Sequence, residues 1–153
     1  MTAIQIYVDA DACPVLEQIE DVARIYMVPV TLLCDTHHVL RSDYCTVQLV
    51  DAGRDAVDIA LTNRCCAGDI VVTQDFGLAM FALAKGAYVI HPWGWRYRSL
   101  SEEDTARKEQ VHRRMRTMQR AWKRGKERMR RRFEEAFEDL VILALEQGDK
   151  PAA

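Results

Sequence analysis

The sequence predicts an α/β domain with a mainly parallel central sheet, helices on both faces and a C-terminal helical arm. Three observations carry this expectation. Between residues 4 and 91 short β-rich runs alternate with segments of helical spacing, the order from which right-handed βαβ crossovers build a doubly wound sheet. Turn and cap residues such as Asp9, Gly53, Gly86 and Pro92 bound those segments. Beyond Pro92 the spacing becomes helical and the composition strongly basic. At 153 residues, 49% hydrophobic and 29% charged, the chain suits one soluble three-layer domain large enough to bury a core.

Ile4 to Val8 reads as the first strand, ending in Asp9, and the Asp-Ala-Cys-Pro turn that follows opens a helix with Pro14 near its first position. Val15, Leu16, Ile19, Val22, Ala23 and Tyr26 recur at helical spacing opposite Glu17, Glu20, Asp21 and Arg24, so this helix is amphipathic. Val28 to Cys34 and Tyr44 to Val50 are the second and third strands, joined by an irregular loop from Asp35 to Asp43, and a helix is expected from Asp55 to Cys65. Ile70 to Thr73 is a compact buried strand. Leu78 to Lys85 is a nearly all-apolar helix ended by Gly86, and Ala87 to Ile90 is a last strand stopped by Pro92. These elements fill a domain over residues 1–98.

Ser101, with Glu102, Glu103 and Asp104 behind it, reads as the cap of a long helical region. Val111, Met115, Met118 and Trp122 make one apolar stripe. Met129, Phe133, Ala136, Phe137, Leu140, Val141 and Ala144 make another, with Gly125 as a break between them. Residues 99–147 are therefore expected to form a basic helical extension that packs on the domain or on a partner, a homo-oligomer included, and residues 148–153 a flexible tail.

The longest uninterrupted apolar run, Leu78 to Ala84, has seven residues, far short of the roughly 20 that a membrane-spanning helix needs. The first residues carry no basic start, and Asp9 and Asp11 soon interrupt the apolar stretch, so no secretory signal is expected and the cytoplasm is the expected compartment. Five cysteines, Cys13, Cys34, Cys45, Cys65 and Cys66, form an odd set without a CxxC spacing, which points to buried thiols rather than disulfides or a zinc ribbon. Cys13 stands at a helix start, where the dipole can lower a thiol pKa, although packing is its expected role. His37, His38, His91 and His112 share no ligand spacing.

In doubly wound sheets ligands bind beyond the carboxyl ends of the strands. Asp9 and Asp11 stand at that end of the first strand, and Asp75 follows Ile70 to Thr73 in the same relative place. Asp55 and Asp58, three residues apart, share a helical face at the same edge. Asp69 precedes its strand, belongs to the opposite edge and is expected to cap a turn. Carboxylates crowded into one crevice repel each other unless a positive group compensates them. A hard divalent cation, Mg²⁺ or Mn²⁺, is the simplest, and it can polarise a phosphoryl oxygen and help to generate a hydroxide nucleophile. Phosphodiester hydrolysis is the chemistry that follows. The bland alternative makes Asp9 and Asp11 a turn and Asp55 a helix cap. Thr73, two residues before Asp75, could orient a carboxylate or a metal-bound water, or be a plain strand residue.

Charge is segregated along the chain. Residues 1–90 carry 5 basic and 12 acidic side chains, whereas residues 105–132 carry 13 basic and 2 acidic ones. Arg113, Arg114, Arg116, Arg120, Lys123, Arg124 and the basic residues after them give the arm a positive field suited to tracking phosphates without reading sequence. Trp93, Trp95 and Tyr97, interleaved with Arg96 and Arg98, are candidates to stack on unpaired bases, with core packing as the competing role.

The strings Tyr7-Val8-Asp9-Ala10-Asp11-Ala12-Cys13-Pro14 and Gly68-Asp69-Ile70-Val71-Val72-Thr73-Gln74-Asp75, the Asp55-x-x-Asp58 pair and Gly94-Trp95-Arg96-Tyr97 together resemble the bacterial YaiI/YqxD family. That family in turn resembles PIN-like domains. The resemblance implies a PIN-like α/β fold and, from the many PIN-like ribonucleases that use Mg²⁺ or Mn²⁺, acidic residues at the carboxyl edge of a parallel sheet. By motif, Asp9, Asp58 and Asp75 match the acidic positions best, with Asp11 and Asp55 as supporters. Trp93 stands where family members often have arginine, and Val57-Asp58-Ile59 where they often have Ala-Asp-Asn.

The leading expectation is a metal-dependent nuclease, acting on RNA rather than DNA. In it Asp9, Asp58 and Asp75 hold the cation, Asp11 or Asp55 assists, and Arg96, Arg98, Arg113, Arg114, Arg120, Lys123 and Arg124 retain the nucleic acid. A catalytically silent RNA-binding or ribosome-associated module is the alternative. A haloacid-dehalogenase-like phosphatase built on Asp9-Ala10-Asp11 is a minor one, since the chain has no later acidic pair at a strand end.

Overall fold

The computed structural model describes residues 3–11, 13–35, 40–50, 56–98, 113, 116, 117, 120 and 125–148. Strand and helix alternate as β1 (Ile6–Asp9), α1 (Leu16–Tyr26), β2 (Val30–Asp35), β3 (Thr46–Val50), α2 (Ala56–Arg64), β4 (Ile70–Val72), α3 (Phe76–Ala84) and β5 (Tyr88–Ile90), followed by α4 (Lys126–Gly148). The five strands form one sheet in the order β3-β2-β1-β4-β5, every pair parallel. The expected α/β class holds, and the layout is consistent with a PIN-like domain. The chain winds outward from β1 through β2 to β3, then returns to the other side of β1 for β4 and β5. The gap between β1 and β4 is therefore the topological switch point, where open α/β sheets bind their ligands.

Both faces of the sheet are covered, as period-2 alternation requires for buried parallel strands. Ile6, Val8, Val30, Leu32, Cys34, Ile70, Val72 and Ile90 join a core with α1 and α4. Tyr7, Leu33, Val71 and Val89 join another with α2 and α3. The second stripe of the expected arm lies in α4, where Met129, Phe133, Phe137, Leu140, Val141 and Ala144 are all buried. Phe133 and Phe137 stack at 5.3 Å, and the Tyr26 hydroxyl donates to Glu138 at 2.7 Å, tying α1 to α4. Residues 126–148 thus pack on α1 and the sheet and contribute to the core on that face. The stripe at 111–122 and the Ser101 cap lie outside the described residues, as do residues 149–153 of the expected tail.

Several element boundaries move by one or two residues from expectation, and at two helix starts the local reason is visible. The first helix starts at Leu16, not at Pro14, because the Cys13 N–H closes a turn on the Ala10 carbonyl at 3.2 Å. The α3 helix starts two residues early, at Phe76, because the Asp75 carboxylate accepts the Leu78 N–H at 3.0 Å and caps it. Gly86 ends α3 with φ +89, and a Cβ there would meet the Ala67 Cβ at 3.0 Å, so glycine is required twice over.

Candidate active site

Asp9 is the last residue of β1, and Thr73 follows the last residue of β4, its neighbour across the switch point. Alternation from Tyr7 and Val71 directs both side chains toward the α2/α3 layer. The Thr73 hydroxyl donates to Asp9 Oδ2 at 3.0 Å and accepts the Asp75 N–H at 3.0 Å. One buried hydroxyl thereby joins the carboxyl ends of the two strands, doing the carboxylate-orienting work considered for Thr73. Its backbone is braced as well: the Thr73 carbonyl accepts the buried Tyr97 hydroxyl at 3.1 Å, and its N–H reaches the Ile90 carbonyl at 3.2 Å.

Desolvation pushes the Asp9 carboxyl up from 3.8 to about 6, the Thr73 hydrogen bond opposing the rise and the charges of Asp58, Asp11 and Asp75 adding to it. Four of the five predicted carboxylates therefore belong to one electrostatic neighbourhood. Asp55 lies outside the described residues. The Asp11 carboxylate accepts the Asp35 N–H, with both oxygens at 3.3 Å, bringing the end of β2 to the same edge. Asp35 is a further strand-end carboxylate that sequence reading assigned to a loop; its place right after the apolar run ending at Cys34 was the available signal.

These carboxylates line an edge without forming a finished cage. Among the described residues no group of three or more His, Cys, Asp or Glu side chains is arranged to hold a metal ion. Asp75 is turned toward its own helix, and Asp11 toward the β2 backbone. The donor chemistry, all carboxylate and hydroxyl oxygen, fits Mg²⁺ or Mn²⁺ rather than a softer ion. Asp69 takes the role expected for it at the opposite edge, accepting the Cys66 N–H at 2.8 Å and the Gln5 N–H at 3.0 Å. Burial raises the Cys13 thiol to about 12, with Asp9 contributing, so desolvation overrides any help from the helix dipole.

The segment after β5 corrects one expectation. His91 N–H donates to the Trp95 carbonyl at 2.8 Å and Tyr97 N–H to the Val89 carbonyl at 3.0 Å, folding residues 95–97 back along β5. Gly94 makes this turn with φ +96, its Cα face against the Phe133 backbone of α4. Trp93 and Tyr97 are buried, at 5% and 4% exposure, and Trp95 is half-buried. The Trp93 and Trp95 rings each lie 4.6 Å from the His91 ring, so they serve as core rather than as a free base-stacking platform. His91 Nδ1 accepts the Trp93 N–H at 3.0 Å, and burial lowers its pKa to about 3. His91 Nε2, Trp93 Nε1 and Trp95 Nε1 are buried without a hydrogen-bond partner among the described residues, a cluster that sequence reading missed.

Of the predicted nucleic-acid contacts, Arg96 and Arg98 are exposed on either side of buried Tyr97, and the Arg96 guanidinium lies 5.5 Å over the Tyr88 ring. Arg113 and Arg120 are exposed and helical. Arg114, Lys123 and Arg124 lie outside the described residues. No helix among the described residues is long and apolar enough to cross a membrane.

A family model described as "Uncharacterized BCR, YaiI/YqxD family" matches residues 7–145. A UPF0178 protein of Clostridium acetobutylicum is 48% identical over 145 residues, covering 91% of this chain and 97% of that protein. UPF0178 proteins of Natranaerobius thermophilus and Ruminiclostridium cellulolyticum are 48% and 51% identical over 94 residues, 61% of this chain and 64% and 61% of theirs. No solved structure matches.

Proposed function

The chain belongs to the YaiI/YqxD family, and from the acidic edge it carries we propose that it hydrolyses phosphodiester bonds in RNA with Mg²⁺ or Mn²⁺. The observation behind this reading is the Asp9–Thr73–Asp75 connection at the switch point, where burial first, and the charges of Asp58, Asp11 and Asp75 after it, raise the Asp9 pKa. Asp9, Asp55, Asp58 and Asp75 would hold the cation, which when bound polarises the phosphoryl oxygen and lowers the pKa of attacking water. Thr73 donates its only hydroxyl proton to Asp9 Oδ2 and so fixes that carboxylate's rotamer. Asp11 would accept a proton from the attacking water, releasing its hold on the Asp35 N–H. The exposed Arg96, Arg98, Arg113 and Arg120, with Arg114, Lys123 and Arg124, would retain the phosphate backbone.

The test is cleavage of a labelled single-stranded RNA with Mn²⁺ or EDTA. Mn²⁺-dependent cleavage abolished by Asp75→Asn supports the reading, and cleavage that survives Asp75→Asn or EDTA removes it. A second reading, an RNA-binding module without hydrolysis, is favoured by the absence of a finished metal cage among the described residues. Salt-sensitive RNA binding with no Mn²⁺-dependent product would select it.

A further inference from the structure

The two edges of the sheet are treated differently. At β5 the returning segment lies against the outer side, with Arg96 bridging Ile90. At the other edge β3 pairs only with β2 among the described residues, and Thr46 and Leu49 are exposed, Leu49 at 56%. Natural edge strands are usually blunted by charge, proline or a bulge. Thr46-Val47-Gln48-Leu49-Val50 contains no charged residue and no proline, and its ladder to β2 runs through all five residues in unbroken register.

We propose that β3 is a self-association edge, pairing antiparallel with β3 of a second copy about a two-fold axis through Gln48. The chemistry of the strand selects this occupant and this register. Residues opposite each other in an antiparallel pair lie on the same face, so a two-fold axis must pass through a residue, and only Gln48 overlaps all five. Thr46 then faces the second copy's Val50, Val47 faces its Leu49, and the two Gln48 side chains meet. Each exposed Leu49 is covered by a valine, no like charges oppose, and the result is a continuous ten-stranded sheet. Two strands of five residues make a small interface, so association is weak and concentration-dependent. The acidic edges of the two copies face opposite ways, so the pairing holds whether or not the protein cleaves RNA.

Single cysteines placed in a Cys66→Ser background test it. At Gln48 the paired Cβ atoms would be about 5 Å apart, whereas at Thr46 they would be displaced by four residues, about 13 Å. Mild oxidation is expected to give a disulfide-linked dimer for Gln48→Cys and little for Thr46→Cys. Light scattering on the unmodified protein should show mass rising toward a dimer with concentration, and Leu49→Lys should remove that rise without lowering the melting temperature of the dilute protein. A monomer at every concentration, equal cross-linking at both positions, or a dimer indifferent to Leu49→Lys overturns the proposal.

Discussion

Replacing Asp9 with asparagine should stabilise the protein at pH 8 in the presence of EDTA. Folding raises the Asp9 pKa from 3.8 to about 6, so the folded state favours the neutral carboxyl. Its contribution is fully present below about pH 4 and is lost as pH rises through 6. A shift of this size corresponds to about 3 kcal/mol between the ionised and neutral forms. Asparagine keeps an oxygen to accept the Thr73 hydroxyl and carries no charge, so most of that penalty disappears. For a chain of this length about 3 kcal/mol is roughly 6–12 °C in melting temperature. The assay is thermal denaturation by circular dichroism from pH 4 to 8, for both proteins, with EDTA and with Mn²⁺. The expected pattern is no difference at pH 4, a growing advantage for Asp9→Asn above pH 5, and a gap that Mn²⁺ narrows by stabilising only the unsubstituted protein. An Asp9→Asn variant no more stable than its parent at pH 8 would refute the claim that charge crowding and desolvation at this edge are real.

His91 works in the opposite direction: with a folded pKa near 3, it should destabilise the protein as pH falls below about 6.5, and His91→Gln should flatten the acid limb of the same melting curves. Asp75→Ala removes the α3 cap and is expected to cost about 1 kcal/mol of stability by urea denaturation, whereas Asp75→Asn should keep the cap and lose only the proposed cleavage. Phe133 is fully buried and stacked on Phe137, so Phe133→Ala should cost about 3–5 kcal/mol in the same titration; a cost below about 1 would mean that α4 does not belong to the core. Neutralising Arg96 and Arg98 together should weaken RNA binding and shallow its salt dependence, read by fluorescence anisotropy across NaCl concentrations.

Much of this protein was legible in its sequence because it depends on near neighbours. Alternation and helical spacing located the five strands and the three helices between them among the described residues, and of the stripe from Met129 to Ala144 every residue but the half-buried Ala136 is buried in α4. Asp69 could be assigned to a turn because it precedes its strand, and Asp9 and Asp75 to a shared edge because both follow theirs. What spacing could not supply was the third dimension. The order β3-β2-β1-β4-β5 put β1 beside β4, and only that adjacency lets the Thr73 hydroxyl span Asp9 and the Asp75 backbone. Tryptophans and tyrosine interleaved with arginines look alike whether they face solvent or core. Packing of residues 93–97 against β5 and α4 decided for the core and left three N–H or ring-nitrogen groups without partners among the described residues. Periodicity is a property of the backbone and is written locally. Burial, strand adjacency and the pKa of Asp9 depend on which distant segments share a volume, and no local pattern encodes that.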